Sequence, residues 1–267
     1  MKYSVCLDST FFNLEYMGAD MPHFLEGMKL TKEAGFAGVE FWDWRKKDIN
    51  AIAAAKKELK LDIAMFGLGW VGACNPAERD KFLDSLRETV EVARILGCKT
   101  ILTMSGHELE GVPREAQHNS IVECLKAAAR IAEPAGLTMV LEPLNILVTQ
   151  PGRGHPGTYL STSKEGFEIV EEVGSPNIKL LFDMYHMQIM EGNLIANITN
   201  HIGQIGHIHA AANPGRGEIT DGEINYRKVF KAIASTGYSG YCSLEYMPQK
   251  DVATGLKEAA QLIAEAV

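Results

Sequence analysis

Four polar residues close four successive apolar runs in the second half of the chain. Glu142 ends Val140-Leu141-Glu142, Asp183 ends Leu181-Phe182-Asp183, His209 ends His207-Ile208-His209, and Glu245 ends Ser243-Leu244-Glu245. A carboxylate at the tip of an apolar segment is costly to desolvate unless it is paired or coordinated. Three carboxylates brought together would repel one another at neutral pH, so either one takes up a proton or a cation sits among them. Three oxygen donors and one imidazole suit Mn²⁺ or Mg²⁺ best, with Co²⁺ and Zn²⁺ also compatible, and suit a thiolate-seeking ion poorly. Helix capping or pairing with Lys or Arg explains any one of the four residues alone, but not their matching positions on successive runs.

Other residues near these ends carry less specific chemistry. His186, three positions beyond Asp183, is placed to donate to a substrate oxygen or to make a structural hydrogen bond. His207 shares a face with His209 by the two-residue strand period and reads as a buried support one layer deeper. Arg216 lies in the Gly-rich loop Asn213-Pro214-Gly215-Arg216-Gly217-Glu218, long enough to reach over a pocket and clamp a hydroxyl, carboxylate or phosphate. The segment 145–162, with several Gly and Pro, reads as a lid. Trp42, Trp44 and Trp70 could wall a sugar-sized pocket or pack a rim; Trp70 and Glu40 are assigned to the substrate, Glu40 facing either the interior or the helix layer.

The elements that must position these residues alternate strictly. Short β-branched or apolar runs at 3–7, 38–41, 62–66, 100–104, 138–141, 179–182, 205–209 and 241–244 are predicted strands. Segments of helical period lie between them at 22–34, 49–59, 76–96, 114–135, 164–173, 194–201, 226–235 and 252–266. Gly35 and Gly97 stand where a left-handed residue ends a helix, and Asp20, Asn75 and Ser163 stand where a side chain caps one. Strand–helix alternation implies a parallel sheet. The first strand runs into Asp8-Ser9-Thr10-Phe11 with no glycine cradle for a phosphate, so a closed (β/α)₈ TIM barrel fits better than an open doubly wound sheet. A length of 267 residues suits one such barrel over 1–267 as a single domain.

Composition excludes several classes. The formal charge is −8 and no basic stripe exists, which argues against nucleic acid as a partner. The longest basic run, Arg45-Lys46-Lys47, precedes Asp48 and reads as the solvated start of a helix. Five scattered cysteines (Cys6, Cys74, Cys98, Cys124 and Cys242) without a CxxC pair point to a reducing compartment rather than a disulfide framework or thiolate zinc site. Met1-Lys2-Tyr3-Ser4 opens on no apolar run, and no segment approaches the ~18 apolar residues of a membrane span, so a cytoplasmic protein without a membrane partner is expected.

At these residues a resemblance emerges. Phe182-Asp183-Met184-Tyr185-His186, Gly206-His207-Ile208-His209, Asp221-Gly222-Glu223-Ile224-Asn225-Tyr226 and Leu244-Glu245-Tyr246-Met247-Pro248 resemble the hydroxypyruvate isomerase family of the xylose-isomerase-like barrel superfamily. Leu141-Glu142-Pro143-Leu144-Asn145 is shared with that family and with the ketose 3-epimerases. The likeness covers the whole layout and is densest over 138–248. It implies one divalent cation on Glu142, Asp183, His209 and Glu245, with Glu142 and Glu245 catalytic and His186 and Arg216 on a small sugar or keto-acid substrate; relatives suggest dimers or tetramers. His209 sides with the epimerases, because the isomerases commonly carry Gln there.

The implied chemistry is isomerisation or epimerisation through an enediolate. A cation chelated by a carbonyl oxygen and its neighbouring hydroxyl acidifies the α-proton, which one glutamate removes while the other delivers a proton. The same first step also serves a lyase that dehydrates a keto-sugar or cleaves a 3-keto C-glycoside. An apurinic endonuclease, which shares the barrel, needs more His ligands and a basic rim than this chain offers. A non-catalytic binding module is the remaining alternative.

Overall fold

The apolar runs form a ring of parallel strands in the computed structural model, which describes Met1–Val267. The strands are β1 (Lys2–Cys6), β2 (Gly38–Phe41), β3 (Asp62–Gly72), β4 (Thr100–Met104), β5 (Thr138–Glu142), β6 (Ile178–Asp183), β7 (Ile205–Ala210) and β8 (Tyr241–Leu244). Each pairs with the next, and β8 closes on β1 through Lys2↔Tyr241 and Ser4↔Ser243, giving a closed (β/α)₈ TIM barrel. The outer layer is built of α1 (Leu7–Thr10), α2 (Met21–Glu33), α3 (Ile49–Leu59), α4 (Arg79–Leu96) and α5 (Arg114–Ala135). It continues with α6 (Ser163–Val173), α7 (Met184–Met190), α8 (Leu194–Asn200), α9 (Tyr226–Ser235) and α10 (Val252–Ala266).

Local chemistry sets the helix ends. Asp20, Asp48 and Asp251 each accept a backbone N–H of the first turn, from His23, Ala51 and Thr254. Gly97, Gly136 and Gly174 end α4, α5 and α6 in the left-handed conformation. Ser163 is not the cap of α6. Thr162 accepts from Glu165 N, while Ser163 Oγ donates to Glu191 at 2.6 Å.

Inside the ring, Met65, Leu102, Val140 and Leu181 form a small apolar layer of their own, separate from the core between strands and helices. The polar strand ends lie beyond it toward the C-terminal mouth, where Met104 pairs with Glu142 and Asp183 with His209. Parallel register therefore brings these residues together by position in their strands, across any distance in sequence.

Two departures from the sequence reading matter for the mouth. Strand β3 runs on to Gly72, because glycine lets it approach β2 closely: a Cβ on Gly67 would sit 2.0 Å from the Trp42 carbonyl oxygen. Gly67→Ala is expected to push Trp42 outward and to lower stability by about 1–3 kcal/mol, the usual cost of overpacking; urea unfolding measures it. Lys47 is not solvated. Its side chain is 3% exposed, with Nζ 2.7 Å from Asp8 Oδ1. The five cysteines are buried and free. No helix is long and apolar enough to cross a membrane.

Candidate active site

Glu142, Asp183, His209 and Glu245 converge at the barrel mouth, each offering a donor atom within 4.8 Å of the others. His209 Nδ1 lies 3.1 Å from Glu245 Oε2 and 3.8 Å from Glu142 Oε1. All four are at most 4% exposed. Glu142 Oε1 and Asp183 Oδ2 have no hydrogen-bond partner although buried. Buried carboxylate oxygens are ordinarily paired, so orphaned donors converging on one point, in an oxygen-rich set with one imidazole, fit a divalent cation.

The local charges pull the two glutamates apart. Burial, then the charge of Glu245, raises the Glu142 pKa well above the ordinary carboxylate range. Burial opposes ionisation of Glu245 too, but Arg216 and His209 overcome it and hold that carboxyl well below the range. Burial alone would discharge His209; Glu40 and Glu245 instead raise its pKa well above that of a free imidazole.

Arg216 reaches further in than a clamp folded over the mouth. Its backbone is left-handed (φ 57°), an uncommon conformation for a side-chain-bearing residue, and its guanidinium is buried. It pairs with Glu245, lies 3.5 Å from Asp183 Oδ2, and donates to the Gly152 carbonyl at 2.8 Å. Arg216 thus ties the segment 145–162 to the carboxylates while still lining the cavity.

His186 Nδ1 accepts from the Asn145 side chain at 2.6 Å, which leaves the proton on Nε2. Nε2 is buried without a hydrogen-bond partner, 3.5 Å from Asp183 Oδ2, and the ring lines the cavity, where the sequence placed a donor. Burial lowers its pKa well below the usual value and keeps it neutral. Trp70 walls the cavity and is 59% exposed. Trp44 does not; it packs outside, donating to Thr89 at 3.1 Å.

Glu40 corrects an expectation. It does not reach the cavity. It is fully buried, with Oε2 2.8 Å from His207 Nε2 and Oε1 2.7 Å from His209 Nε2. His207 is the buried support that its strand position implied. Two functional residues had been given less weight than the structure gives them. Trp42 donates Nε1–H to Glu245 Oε1 at 2.5 Å, and Asn145 joins His186 to the Arg153 carbonyl. His155, half-buried on the same cavity, had not been singled out at all; its only sequence signal was a place in the Gly- and Pro-rich segment.

A cavity of about 320 Å³, lined by Glu142 and Glu245 of the four, opens at this mouth. Glu142, His186, Arg216 and Glu245 face it from below, while Phe12, Leu14, Met17, Trp42 and Trp70 make much of its wall apolar.

A closed parallel barrel with such a cluster at its C-terminal mouth defines a class, and the sequence agrees: residues 28–266 match the xylose isomerase-like TIM barrel family, and the chain belongs to it. Within that family it is 33% identical to hydroxypyruvate isomerase of Escherichia coli (strain K12), over 88% of this chain and 92% of that one. It is also 33% identical to 2-oxo-tetronate isomerase of Cupriavidus necator, over 87% and 90%. A solved structure described as AP endonuclease, family 2, from Brucella melitensis superposes with a TM-score of 0.87 at 32% identity, covering 98% of this chain and 99% of the other. Together these relatives support an isomerase.

Proposed function

We propose that the protein is a divalent-metal-dependent isomerase or epimerase of a ketose or keto acid, with Glu142 and Glu245 as the acid–base pair. The observation that carries this reading is the placement of the two glutamates. They come from β5 and β8, three strands apart around the ring, and both face one cavity. Two carboxylates approaching a substrate from different sides can remove a proton at one position and deliver one at another, as isomerisation and epimerisation require. A cation on Glu142, Asp183, His209 and Glu245 would polarise the substrate carbonyl and so acidify its α-proton. Asp183 and His209 would hold the cation, His186 would offer Nε2–H to a substrate oxygen, and Arg216 keeps Glu245 ionised.

The apolar outer wall favours a second reading. A lyase that expels an apolar leaving group, such as an aryl aglycone, would begin with the same proton abstraction and fill that wall. An endonuclease function finds no such support, since one histidine among four donors and a net charge of −8 are poorly matched to a phosphate backbone.

The test is NMR in D₂O against a panel of ketoses, keto acids and 3-keto glycosides, using protein loaded with Mn²⁺ and exchanged to Mg²⁺ for detection. Deuterium at carbon with inverted configuration identifies an epimerase, and deuterium with a migrated carbonyl an isomerase. Loss of water or aglycone identifies the lyase. Metal-loaded protein that exchanges no α-proton across the panel overturns the reading. A thermal measurement checks the cation separately: Mn²⁺ at 100 times its Kd should stabilise chelator-stripped protein by about 2.7 kcal/mol, and Asp183→Asn should remove most of that gain.

A further inference from the structure

We propose that the substrate carries a second, uncharged sugar ring, held in a chamber beside the active-site cavity at the ends of β3 and β4. The inference rests on the isomerase reading for where the reacting unit sits. It narrows the substrate class to a ketose linked to a neutral hexose.

The chamber has a volume of about 280 Å³, against about 320 Å³ for the cavity that Glu142 and Glu245 line. Trp70, Met104, Leu144 and His155 line both, so the two spaces abut. One side of the second chamber is backbone. Gly72 of β3 and Gly106, just after β4, approach so closely that a Cβ on Gly106 would sit 2.8 Å from Gly72 Cα. Backbone hydrogen bonds hold that approach, from Ala73 N to the Met104 carbonyl at 3.2 Å and from Cys74 N to the Ser105 carbonyl at 2.8 Å. Ser120 Oγ donates to the Ala73 carbonyl at 3.0 Å. A chamber fixed in this way needs little ordering when a ligand enters.

The polar groups on the chamber identify its occupant. Asn75 Oδ1 accepts the Ala77 N–H at 3.1 Å, but the Asn75 amide N–H groups make no bond within the protein. The Thr158 hydroxyl and the rings of His107 and His155 likewise have no hydrogen-bond partner in the protein. Burial lowers the His155 pKa to about 4, so near pH 7 its ring offers one donor and one acceptor. Neutral donors and acceptors of this kind match sugar hydroxyls, which both give and take hydrogen bonds. No Lys or Arg lines the chamber, and Glu78 does; its partner Lys81, at 3.6 Å, is not part of the lining. A phosphate or carboxylate would therefore meet a like charge there. The exposed indole of Trp70 stands where the two spaces abut, and its electron-rich face suits the C–H face of a pyranose.

Ketose disaccharides test the proposal. Fructose is compared with turanose, maltulose, lactulose and isomaltulose, which attach a hexose to different hydroxyls of fructose. Each is titrated into Mg²⁺-loaded wild type, His107→Ala and Thr158→Val, and Kd is read from the indole ¹H–¹⁵N signals. At least one disaccharide is expected to bind wild type about 10- to 100-fold more tightly than fructose, as two further hydrogen bonds would give. The same sugar should shift the Trp70 indole signal further than fructose does. Each variant is expected to cut the advantage about 2- to 10-fold. If one variant fails to fold, the other and the Trp70 shift decide. No advantage for any disaccharide, or tighter binding of fructose 6-phosphate than of every disaccharide, would overturn the proposal. So would an advantage that both variants keep in full, which would put the second ring against Phe12, Leu14 and Met17. Deuterium uptake from D₂O, followed in the same samples and with single-ring keto acids, separates the two readings. Exchange without any disaccharide advantage overturns this inference only. Disaccharide binding that the variants weaken, without exchange on any sugar or acid, overturns the isomerase reading and leaves the chamber a saccharide site.

Discussion

Glu142→Gln and Glu245→Gln are each expected to slow deuterium incorporation at the substrate carbon by about 10²- to 10⁴-fold, the range that a positioned acid or base contributes. Glutamine keeps the shape and one oxygen of each side chain but cannot carry the transferred proton. Both residues also belong to the proposed metal-binding set, so the measurement must be made at saturating Mn²⁺ with bound metal counted in each variant. A rate loss at full occupancy then reports proton transfer and not an empty site. Trp42→Phe provides the contrast. It removes the 2.5 Å hydrogen bond to Glu245 Oε1 and leaves the carboxylate in place. A hydrogen bond to a charged group contributes about 1.5–3 kcal/mol, so the loss should be roughly 10- to 150-fold and should add little to Glu245→Gln. Near-normal exchange in both glutamine variants at full occupancy would sink the assignment.

The convergence of Glu142, Asp183, His209 and Glu245 was legible in the sequence for a definite reason. In a parallel barrel every strand ends at the same rim, so residue position within a strand is already spatial information. His207 and His209 yielded to the two-residue strand period in the same way. What escaped depends on contacts that no local pattern encodes. Lys47 stands in a basic run, and its burial follows only from Asp8, 39 positions away. The direction of Glu40 was open because an inward or outward carboxylate reads alike until His207 and His209 are known to lie inside the ring. Arg216 was correctly placed near the mouth, but its depth comes from a left-handed backbone at a non-glycine residue, which sequence rules disfavour. Helix α1, of four residues, is too short to show a helical period.

Lys47→Met is expected to cost about 3–5 kcal/mol of stability, because removing one partner of a buried ion pair strands the other charge. Asp8 is 2% exposed and is a junction for three segments. Oδ1 accepts from Lys47 Nζ at 2.7 Å and from Ala19 N at 2.8 Å, and Oδ2 accepts from Trp42 N at 2.8 Å. Lys47 Nζ in turn donates to the Ala19 carbonyl at 2.7 Å. The two remaining backbone donors do not neutralise the charge, so methionine, which matches the length of the stem, still leaves an uncompensated carboxylate. Adding Asp8→Asn removes that charge, and the double variant should therefore be less destabilised than the sum of the single ones; chemical unfolding of all four proteins measures the coupling. The pair also has a functional consequence. It anchors the segment carrying Phe12, Leu14 and Met17, and it fixes the backbone of Trp42, whose indole holds Glu245. Lys47→Met should accordingly raise KM and lower kcat together in the folded fraction, whereas a pair that served stability alone would leave both unchanged once unfolded protein is discounted.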